Sequence, residues 1–216
     1  MRYNGGGYLD IASELAYMIA GPSTTNGKFF EQQIFNDKNP FQFSAAQTVT
    51  PFHATALGFS LASGTALPTL NLSRVYMLVG SGTCSASESV VNGLRGAGVQ
   101  VNLIGATTCG KPYGFYPKDN CGTTYFSIQF RGVNQLGQGD YADGFTPTCA
   151  AADDYTHALG DPSEGRLAAA LSYRANSVCA AGLSVAQSVS GSGASVEPVL
   201  ARTPLRENRI YRSAAP

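Results

Sequence analysis

The chain has 216 residues, and its 14 Lys and Arg residues balance its 14 Asp and Glu residues. This length suits one domain with a sizeable core, and the neutral charge without basic runs argues against nucleic acid as a partner. No apolar stretch approaches the ~20 residues of a membrane helix, so we expect no integral membrane segment.

The first predicted element is a helix over residues 9–20, which follows a glycine loop at residues 4–7. Gly21 and Pro22 end this helix. Its apolar positions recur at helical spacing and predict one buried stripe, formed by Ile11, Leu15, Met18 and Ile19. Scattered aromatic residues between 28 and 54 predict short strands.

A strand–helix–strand unit comes next in the sequence. The apolar run at residues 74–80 predicts a buried strand, residues 85–97 predict a helix, and residues 99–105 predict the next strand. The inward face of the helix is predicted to hold Val90, Val91 and Leu94. Strand, helix and strand within about thirty residues form a βαβ unit, so the sequence predicts an α/β fold with a parallel sheet.

Two further elements are predicted towards the end of the chain. Alternation over residues 123–133 predicts a strand, and the Asp-Pro-Ser-Glu sequence at 161–164 predicts a helix start with Asp161 as the N-cap. A Ser- and Gly-rich stretch then predicts a flexible link before a basic tail. We therefore divide the chain into one domain, residues 1–183, and a link with its tail, residues 184–216.

The five cysteines are Cys84, Cys109, Cys121, Cys149 and Cys179. Their number, in a protein with so few charges, suggests an oxidising compartment. They include no CxxC pair, and the chain has only two histidines, so we expect no metal site. Cys109 and Cys121 bracket a loop rich in Gly and Pro and are candidates for a disulfide, with buried free thiols as the alternative. The odd count leaves at least one cysteine free or paired outside the chain.

Ser85 begins the predicted helix at 85–97 and has two interpretations. With Glu88 it forms the Ser-x-x-Glu pattern of a capping box, which accounts for both residues without any chemistry. A serine at this point also projects from the carboxyl edge of a parallel sheet, where α/β proteins place their sites, and the helix amides favour a developing anion. One residue can fill both roles, so Ser85 is a candidate nucleophile.

A nucleophilic serine needs a base, and Lys111 is the best-placed candidate. It follows the second strand of the βαβ unit, and neighbouring strand ends lie ~5 Å apart, so its loop can reach Ser85. A lysine acts as a base only when it is neutral, which the aromatic residues that follow Lys111 favour. An exposed surface lysine is the alternative interpretation.

Acyl transfer also needs hydrogen-bond donors for an oxyanion. The Ala86 N–H stands next to the candidate nucleophile at the helix start, and the glycines at 5–7 can bring a second amide close to a substrate. A simple turn and a phosphate cradle are the alternatives for the glycine loop. The Walker spacing is missing, which argues against phosphate.

Taken together, these segments resemble a known family. The segments "RYNGGGYLDIASELAYMIAG" and "GTCSASESVVNGLRGAGVQVNLIGATTCGK" are similar to the R-N-GGG and S-A-S-E … G-K segments of the C-terminal-processing, or tail-specific, serine peptidases. The similarity covers Arg2 to Lys111 in patches, with the same order and spacing. It implies a Clp-protease/crotonase-like α/β fold and a protein or peptide substrate, without a cofactor.

The resemblance also implies roles for individual residues. In a Ser–Lys mechanism, Ser85 matches the nucleophile and Lys111 matches the general base. The amides of Ala86 and Gly6 match the oxyanion donors. We expect Glu88 to be the third catalytic residue.

The chain departs from the family in several places. Some members have an Asp in the helix and a Gln after the lysine, where this chain has no carboxylate near Gly96 and has Phe115. Members usually carry a secretion signal and an upstream PDZ-like domain. We expect this chain to be either a fragment or a chain whose upstream region was removed. We expect the protein to act outside the cytoplasm, as a periplasmic, cell-envelope or secreted protein.

The sequence leaves three functions open. The first is a serine endopeptidase that cleaves proteins near their C-termini, and the second is an inactive module on the same fold that binds peptides or hydrophobic ligands. The presence of both Ser85 and Lys111 favours the first. The third is a Ser–His hydrolase that uses His53 or His157, but the G-x-S-x-G motif of such enzymes is missing around Ser85.

Overall fold

A computed structural model describes residues 1–38 and 43–179, so the predicted link and tail at 184–216 lie outside the described residues. The helices are α1 (Leu9–Ala20), the single-turn α2 (Pro22–Thr25), α3 (Ala86–Ala97) and α4 (Gly165–Asn176). The strands are β1 (Phe29–Phe35), β2 (Val49–Pro51), β3 (Arg74–Val79), β4 (Gln100–Gly105), β5 (Tyr113–Gly114), β6 (Lys118–Asn120), β7 (Thr123–Tyr125), β8 (Phe130–Val133) and β9 (Cys149–Ala150), and a 3₁₀ turn spans Ala45–Thr48. Within the described ranges, no helix is both long and apolar enough to cross a bilayer.

The predicted βαβ unit is confirmed. Strands β3 and β4 pair in parallel from Arg74 opposite Gln100 to Val79 opposite Gly105, and β9 adds to β4 in parallel. Helix α3 connects the first two strands and buries the predicted face, formed by Val90, Val91 and Leu94. The α/β class follows from this unit, and it places the start of α3 and the loop after β4 at the same edge of the sheet.

A second, antiparallel sheet lies on the other side of α3. Its strand order is β2-β1-β8-β5, and the short strands predicted between 28 and 54 are confirmed as β1 and β2. Helix α3 contacts β1 and β8 of this sheet as well as β4 of the parallel one. A Cβ at Gly93 would lie 2.5 Å from the Phe30 ring, so this glycine permits the close approach of α3 to β1.

Helix α1 has the predicted bounds, but its buried face is not the predicted stripe. Ile11 is 43% exposed, whereas the buried positions are those of small side chains, Ala12, Ser13, Ala16 and Ala20. Helix α1 packs against α3, and small side chains allow two helices to approach closely. Leu15 and Ile19 are only partly buried at the margin of this contact.

The predicted strand at 123–133 is wrong in its middle. It is divided into β7 and β8, and residues 126–129 are in neither strand. Strand β7 pairs with β6 as a hairpin, whereas β8 pairs with β1 and β5. The alternating pattern is the same on both sides of this break, so the pattern alone could not locate it.

The predicted helix start at Asp161 is also wrong. Helix α4 begins at Gly165, and the Glu164 carboxylate is its N-cap, accepting the N–H groups of Arg166 and Leu167. Asp161 instead closes a turn, in which its carbonyl accepts the Glu164 N–H at 2.9 Å. Glutamate replaces the shorter Asp or Ser as the cap because Arg2 holds its carboxylate in a bidentate pair.

Candidate active site

Ser85 lies at the N-cap of α3 in an unusual backbone conformation. Its φ is 56° and its ψ is −123°, a combination that non-glycine residues rarely adopt and that costs about 1–3 kcal/mol. The predicted capping box with Glu88 is present, and the Glu88 carboxylate accepts the Ser85 N–H at 3.0 Å. The side chain of Ser85 is only partly buried, so a substrate can reach it.

Glu88 connects the serine turn, residues 82–85 before α3, with the lysine loop, residues 106–112 after β4. Its side chain is fully buried, and its Oε2 atom accepts the backbone N–H groups of both Ser85, at 3.0 Å, and Lys111, at 2.8 Å. Its Oε1 atom accepts the Gly110 N–H at 2.9 Å and the Thr108 hydroxyl at 2.5 Å. Because one oxygen accepts both N–H groups, the backbone nitrogens of Ser85 and Lys111 lie within about 6 Å of each other.

A disulfide joins the same two loops. It connects Cys84, directly before Ser85, with Cys109, two residues before Lys111. The predicted Cys109–Cys121 bridge is wrong, since Cys121 is free and exposed. The second disulfide joins Cys149 and Cys179, and the leftover cysteine that the odd count required is thus Cys121.

The glycine loop packs directly on the serine turn. A Cβ at Gly6 would lie 2.8 Å from the Ser85 Cβ, and the φ of Gly6 is +102°, so only glycine fits here without strain. Asn4 fastens the loop, because its side-chain oxygen accepts the Ser87 hydroxyl at 2.8 Å and its carbonyl accepts the Cys84 N–H at 3.3 Å. The loop and the helix start therefore form one unit.

The backbone N–H groups of the glycine loop and the start of α3 differ in whether they have a hydrogen-bond acceptor. The Gly6 N–H, the predicted oxyanion donor, donates to Asn4 Oδ1 at 2.9 Å. Among the described residues, neither Ala86 N–H nor Gly7 N–H has an acceptor. Ala86 N–H is one of the orphan amides of a helix start, so it is free to bind a developing anion.

Lys111 is partly buried beside an aromatic ring. Its Nζ atom lies 5.2 Å from the centroid of the Phe115 ring. Phe115 is 38% exposed and packs edge-on against Phe126, with 5.4 Å between the ring centroids. The lysine is therefore neither deeply buried nor a freely exposed side chain.

The two histidines have other partners. His53 pairs with Asp10 at 3.2 Å, and His157 pairs with Asp154 at 2.7 Å. This partner raises the pKa of His157. Within the described part of the chain, neither ring contacts Ser85, so the structure gives no support to a Ser–His pair.

The site offers no fit for a metal ion. The one group of nearby His, Cys, Asp or Glu side chains in the described ranges is Cys84, Glu88 and Cys109. The two sulfurs are joined in the disulfide, and Glu88 already accepts four hydrogen bonds. Thiolate ligands would require the disulfide to be broken.

Glu31 is a second buried carboxylate, and it lies next to Ser89 of α3. Glu31 on β1 is 4% exposed, and burial raises its pKa to about 7, an effect that a hydrogen bond from Ser89 partly offsets. A Cβ at Gly132 would lie 2.4 Å from the carboxyl carbon of Glu31, so the glycine makes room for this carboxylate. The Tyr141 hydroxyl is buried close by, and desolvation raises its pKa.

The sequence indicated several of these residues and missed others. The structure holds the backbones of Ser85 and Lys111 on the Glu88 carboxylate and packs Gly6 against the start of α3, where Ala86 lies. Among the described residues, no hydrogen bond joins the Ser85 hydroxyl to Lys111 Nζ. The structure adds Asn4, whose position before three glycines was a usable signal for an Asx turn. Thr108 and Ser87 carried no signal in the sequence, because their partners come from distant segments.

Comparison with known proteins gives the class of this α/β chain. The model of peptidase family S41 matches residues 1–115, which is more than half of the 216 residues. The chain therefore belongs to peptidase family S41, as its motifs predicted, and so to a family of hydrolases. No curated protein sequence matches the chain.

Several solved structures resemble the chain, among them the two that follow. A protein from Bacteroides fragilis NCTC 9343 that is assigned to the S41 proteases matches with a TM-score of 0.66 and 28% sequence identity, covering 82% of this chain and 44% of that one. The photosystem II D1 C-terminal processing protease has a TM-score of 0.44 and 20% identity, covering 68% of this chain and 32% of that one. The chain thus spans less than half the length of either structure.

Proposed function

We propose that the chain carries the catalytic centre of a serine peptidase, with Ser85 as the nucleophile and Lys111 as the general base. The observation that supports this pairing most directly is the shared acceptor, since Glu88 Oε2 binds the N–H groups of both residues. Membership of peptidase family S41 supports the same chemistry.

The conformation of Ser85 suits a nucleophile better than a simple cap. A helix cap normally takes ordinary extended backbone angles, whereas Ser85 has a positive φ of 56°. Strain of this kind persists where the surrounding structure enforces it and is frequent at active sites. Here the disulfide, Glu88 and the glycine loop enforce it.

The proposed reaction uses only groups of the chain. Lys111 Nζ, when neutral, takes the Ser85 hydroxyl proton as Ser85 Oγ attacks the scissile carbonyl carbon. The tetrahedral oxyanion binds Ala86 N–H and an amide of the glycine loop. Lys111 then gives its proton to the leaving amine, and water, activated in the same way, hydrolyses the acyl-enzyme.

For the second oxyanion donor, the hydrogen bonds favour Gly7 over Gly6. The Gly6 N–H is committed to Asn4, whereas the Gly7 N–H has no acceptor among the described residues. The role of Gly6 is then to let the loop approach Ser85 without a clash. Glu88 is proposed to position the reacting residues without touching the substrate, because its oxygens already accept four donors.

Two finer points complete the proposal. Cleavage near substrate C-termini follows from the resemblance to tail-specific peptidases and belongs to the proposal only on that ground. Action outside the cytoplasm is supported by the two disulfides, since such bonds persist in oxidising compartments.

The test is hydrolysis of an unstructured protein by the chain, beside the Ser85→Ala and Lys111→Ala variants, with cleavage sites read by mass spectrometry. Groups that act as a unit cost nearly the same when lost, so we expect both variants to be equally inactive. His53→Ala is the control and should retain full activity. If the parent and Lys111→Ala hydrolyse the substrate at equal rates, Lys111 is not the general base. An inactive parent would favour a binding module.

A further inference from the structure

We infer that the Cys84–Cys109 disulfide is a positioning element of the catalytic centre, and that peptide hydrolysis requires its oxidised form. The inference rests on the proposed function, because it concerns how Ser85 and Lys111 are held together. The bond connects the residue before the nucleophile to the loop that carries the base. It is the one covalent cross-link between these two loops in the described chain.

The disulfide works in parallel with weaker links. The Cys109 N–H donates to the Thr83 carbonyl at 3.0 Å, and Glu88 accepts an N–H from each loop. Each hydrogen bond contributes only about 1 kcal/mol net. The covalent bond fixes the separation of the loops, which the hydrogen bonds alone hold less tightly.

The consequences of breaking the bond are expected to be local. The segment between the two cysteines contains α3 and β4, whose side chains Leu94, Leu103 and Ile104 are fully buried. We expect these buried side chains to keep both elements packed without the disulfide. Loss of the bond therefore loosens the two loops and leaves the core in place, and a small misplacement of reacting groups can cost about a hundredfold in rate.

The bond is open to chemical attack. Cys109 is exposed and Cys84 is partly buried. A dithiol reductant can attack the Cys109 sulfur with one thiolate, releasing the Cys84 sulfur, which takes up a proton. The second thiol of the reductant then resolves the mixed disulfide and releases Cys109 as a thiol. Two electrons and two protons pass to the cysteine pair, and the reductant leaves as a disulfide.

The second disulfide provides a matched control. Cys149 lies on β9 and pairs with Cys179 beyond the end of α4, and neither cysteine forms a hydrogen bond to the serine turn or the lysine loop among the described residues. The exposed free thiol of Cys121 is first removed as Cys121→Ser, so that disulfide exchange cannot confuse the comparison. This variant is the parent for the experiment.

The experiment measures kcat and KM for an unstructured protein substrate, with the melting temperature of each variant. We expect C84A/C109A to lose about tenfold or more in kcat with KM changed by less than about threefold, while C149A/C179A keeps the kcat of the parent. A dithiol should inhibit the parent and C149A/C179A alike and leave C84A/C109A unchanged. Equal kcat for C84A/C109A and the parent would overturn the inference. So would inhibition of C84A/C109A by the dithiol as strong as that of the parent.

A second readout separates this inference from the proposed function. Hydrogen exchange of the Ser85, Gly110 and Lys111 amides, which bond to Glu88, does not require activity. Reduction of the parent should speed their exchange by about tenfold, while the amides of β4 stay protected. Unchanged exchange at these amides would overturn the inference even in an active enzyme. Faster exchange in an inactive parent would uphold the positioning role while the proposed function fails.

Discussion

Two buried glutamates differ completely in their surroundings, although one belongs to α3 and the other lies on the strand packed against that helix. Glu88, in the first turn of α3, accepts four hydrogen bonds from the serine turn and the lysine loop. Glu31, on β1, is buried to a similar extent, but desolvation dominates its environment and raises its pKa to about 7. Glu88 organises the candidate active site through hydrogen bonds from two loops, whereas burial of Glu31 raises its pKa.

The comparison shows how burial and hydrogen bonding decide what a carboxylate can do. A buried charge is costly unless donors replace the lost water. Backbone amides from two loops provide this at Glu88. At Glu31 a hydrogen bond from Ser89 favours the charged form, but it only partly offsets the desolvation, which favours the protonated form.

Among changes at residues other than Ser85 and Lys111, the largest effect is expected for Glu88→Gln. Glutamine replaces one carboxylate oxygen with an NH₂ group, which donates and cannot accept. The two donors that bound that oxygen therefore lose their acceptor. We expect activity to fall by about a hundredfold and the free energy of unfolding to fall by about 2–3 kcal/mol. Peptide hydrolysis and urea unfolding measure the two effects. Glu14→Gln, at a carboxylate that accepts one amide near the surface, is the control and should change neither.

Glu31→Gln should act on stability through pH. A folded-state pKa of about 7, above the ordinary 4.5, means that the folded protein holds a proton that the unfolded chain has released. The stabilising contribution is full below pH 4.5 and is lost as the pH rises through 7, a change of about 3 kcal/mol. Glu31→Gln should flatten this slope in urea unfolding between pH 5 and pH 8. The same slope in parent and variant would refute the assignment.

Gly6→Ala tests how tightly the glycine loop packs on the nucleophile. The new Cβ would meet Ser85 Cβ at 2.8 Å, at a φ of +102°, so the loop must shift. We expect activity to fall by about tenfold or more. Gly27→Ala adds a Cβ at a similarly positive φ with open space around it, and it should cost stability while leaving the rate per folded molecule unchanged.

Phe115→Leu should have the smallest effect. The ring lies under Lys111 Nζ at 5.2 Å, and such a contact at an exposed site contributes about 0.5–1 kcal/mol. The ring also limits where the lysine side chain can lie, so its loss should misplace the base and slow hydrolysis by about threefold. Phe126→Leu removes the ring that packs on Phe115 and should have less effect than Phe115→Leu. The reverse order would mean that ring packing matters more than the contact with lysine.

The sequence predicted the parts of the site that are local. The apolar runs and the Ser-x-x-Glu pattern located β3, α3 and β4, and the order of Ser85 and Lys111 along a βαβ unit placed both at one sheet edge. Periodicity gave the bounds of α1 but not its buried face, because the face depends on the close contact with α3.

The sequence could not predict what depends on distant partners. Cys84 and Cys109 are 25 residues apart, and nothing in their spacing distinguishes this pair from Cys109 with Cys121. The commitment of the Gly6 N–H to Asn4 and the burial of Glu31 between β8 and α3 likewise arise only when the elements pack. Each needs the three-dimensional arrangement of segments that are separated in the chain.

Covalent labelling of Ser85 can show whether Lys111 activates it. A fluorophosphonate reagent would be incubated with the chain and with Lys111→Ala, and the labelled peptide would be identified by mass spectrometry over time. We expect an adduct on Ser85 in the parent and little or none in Lys111→Ala, whose melting temperature stays near that of the parent. An unlabelled Ser85 in the parent, or equal labelling rates in the two proteins, would contradict it.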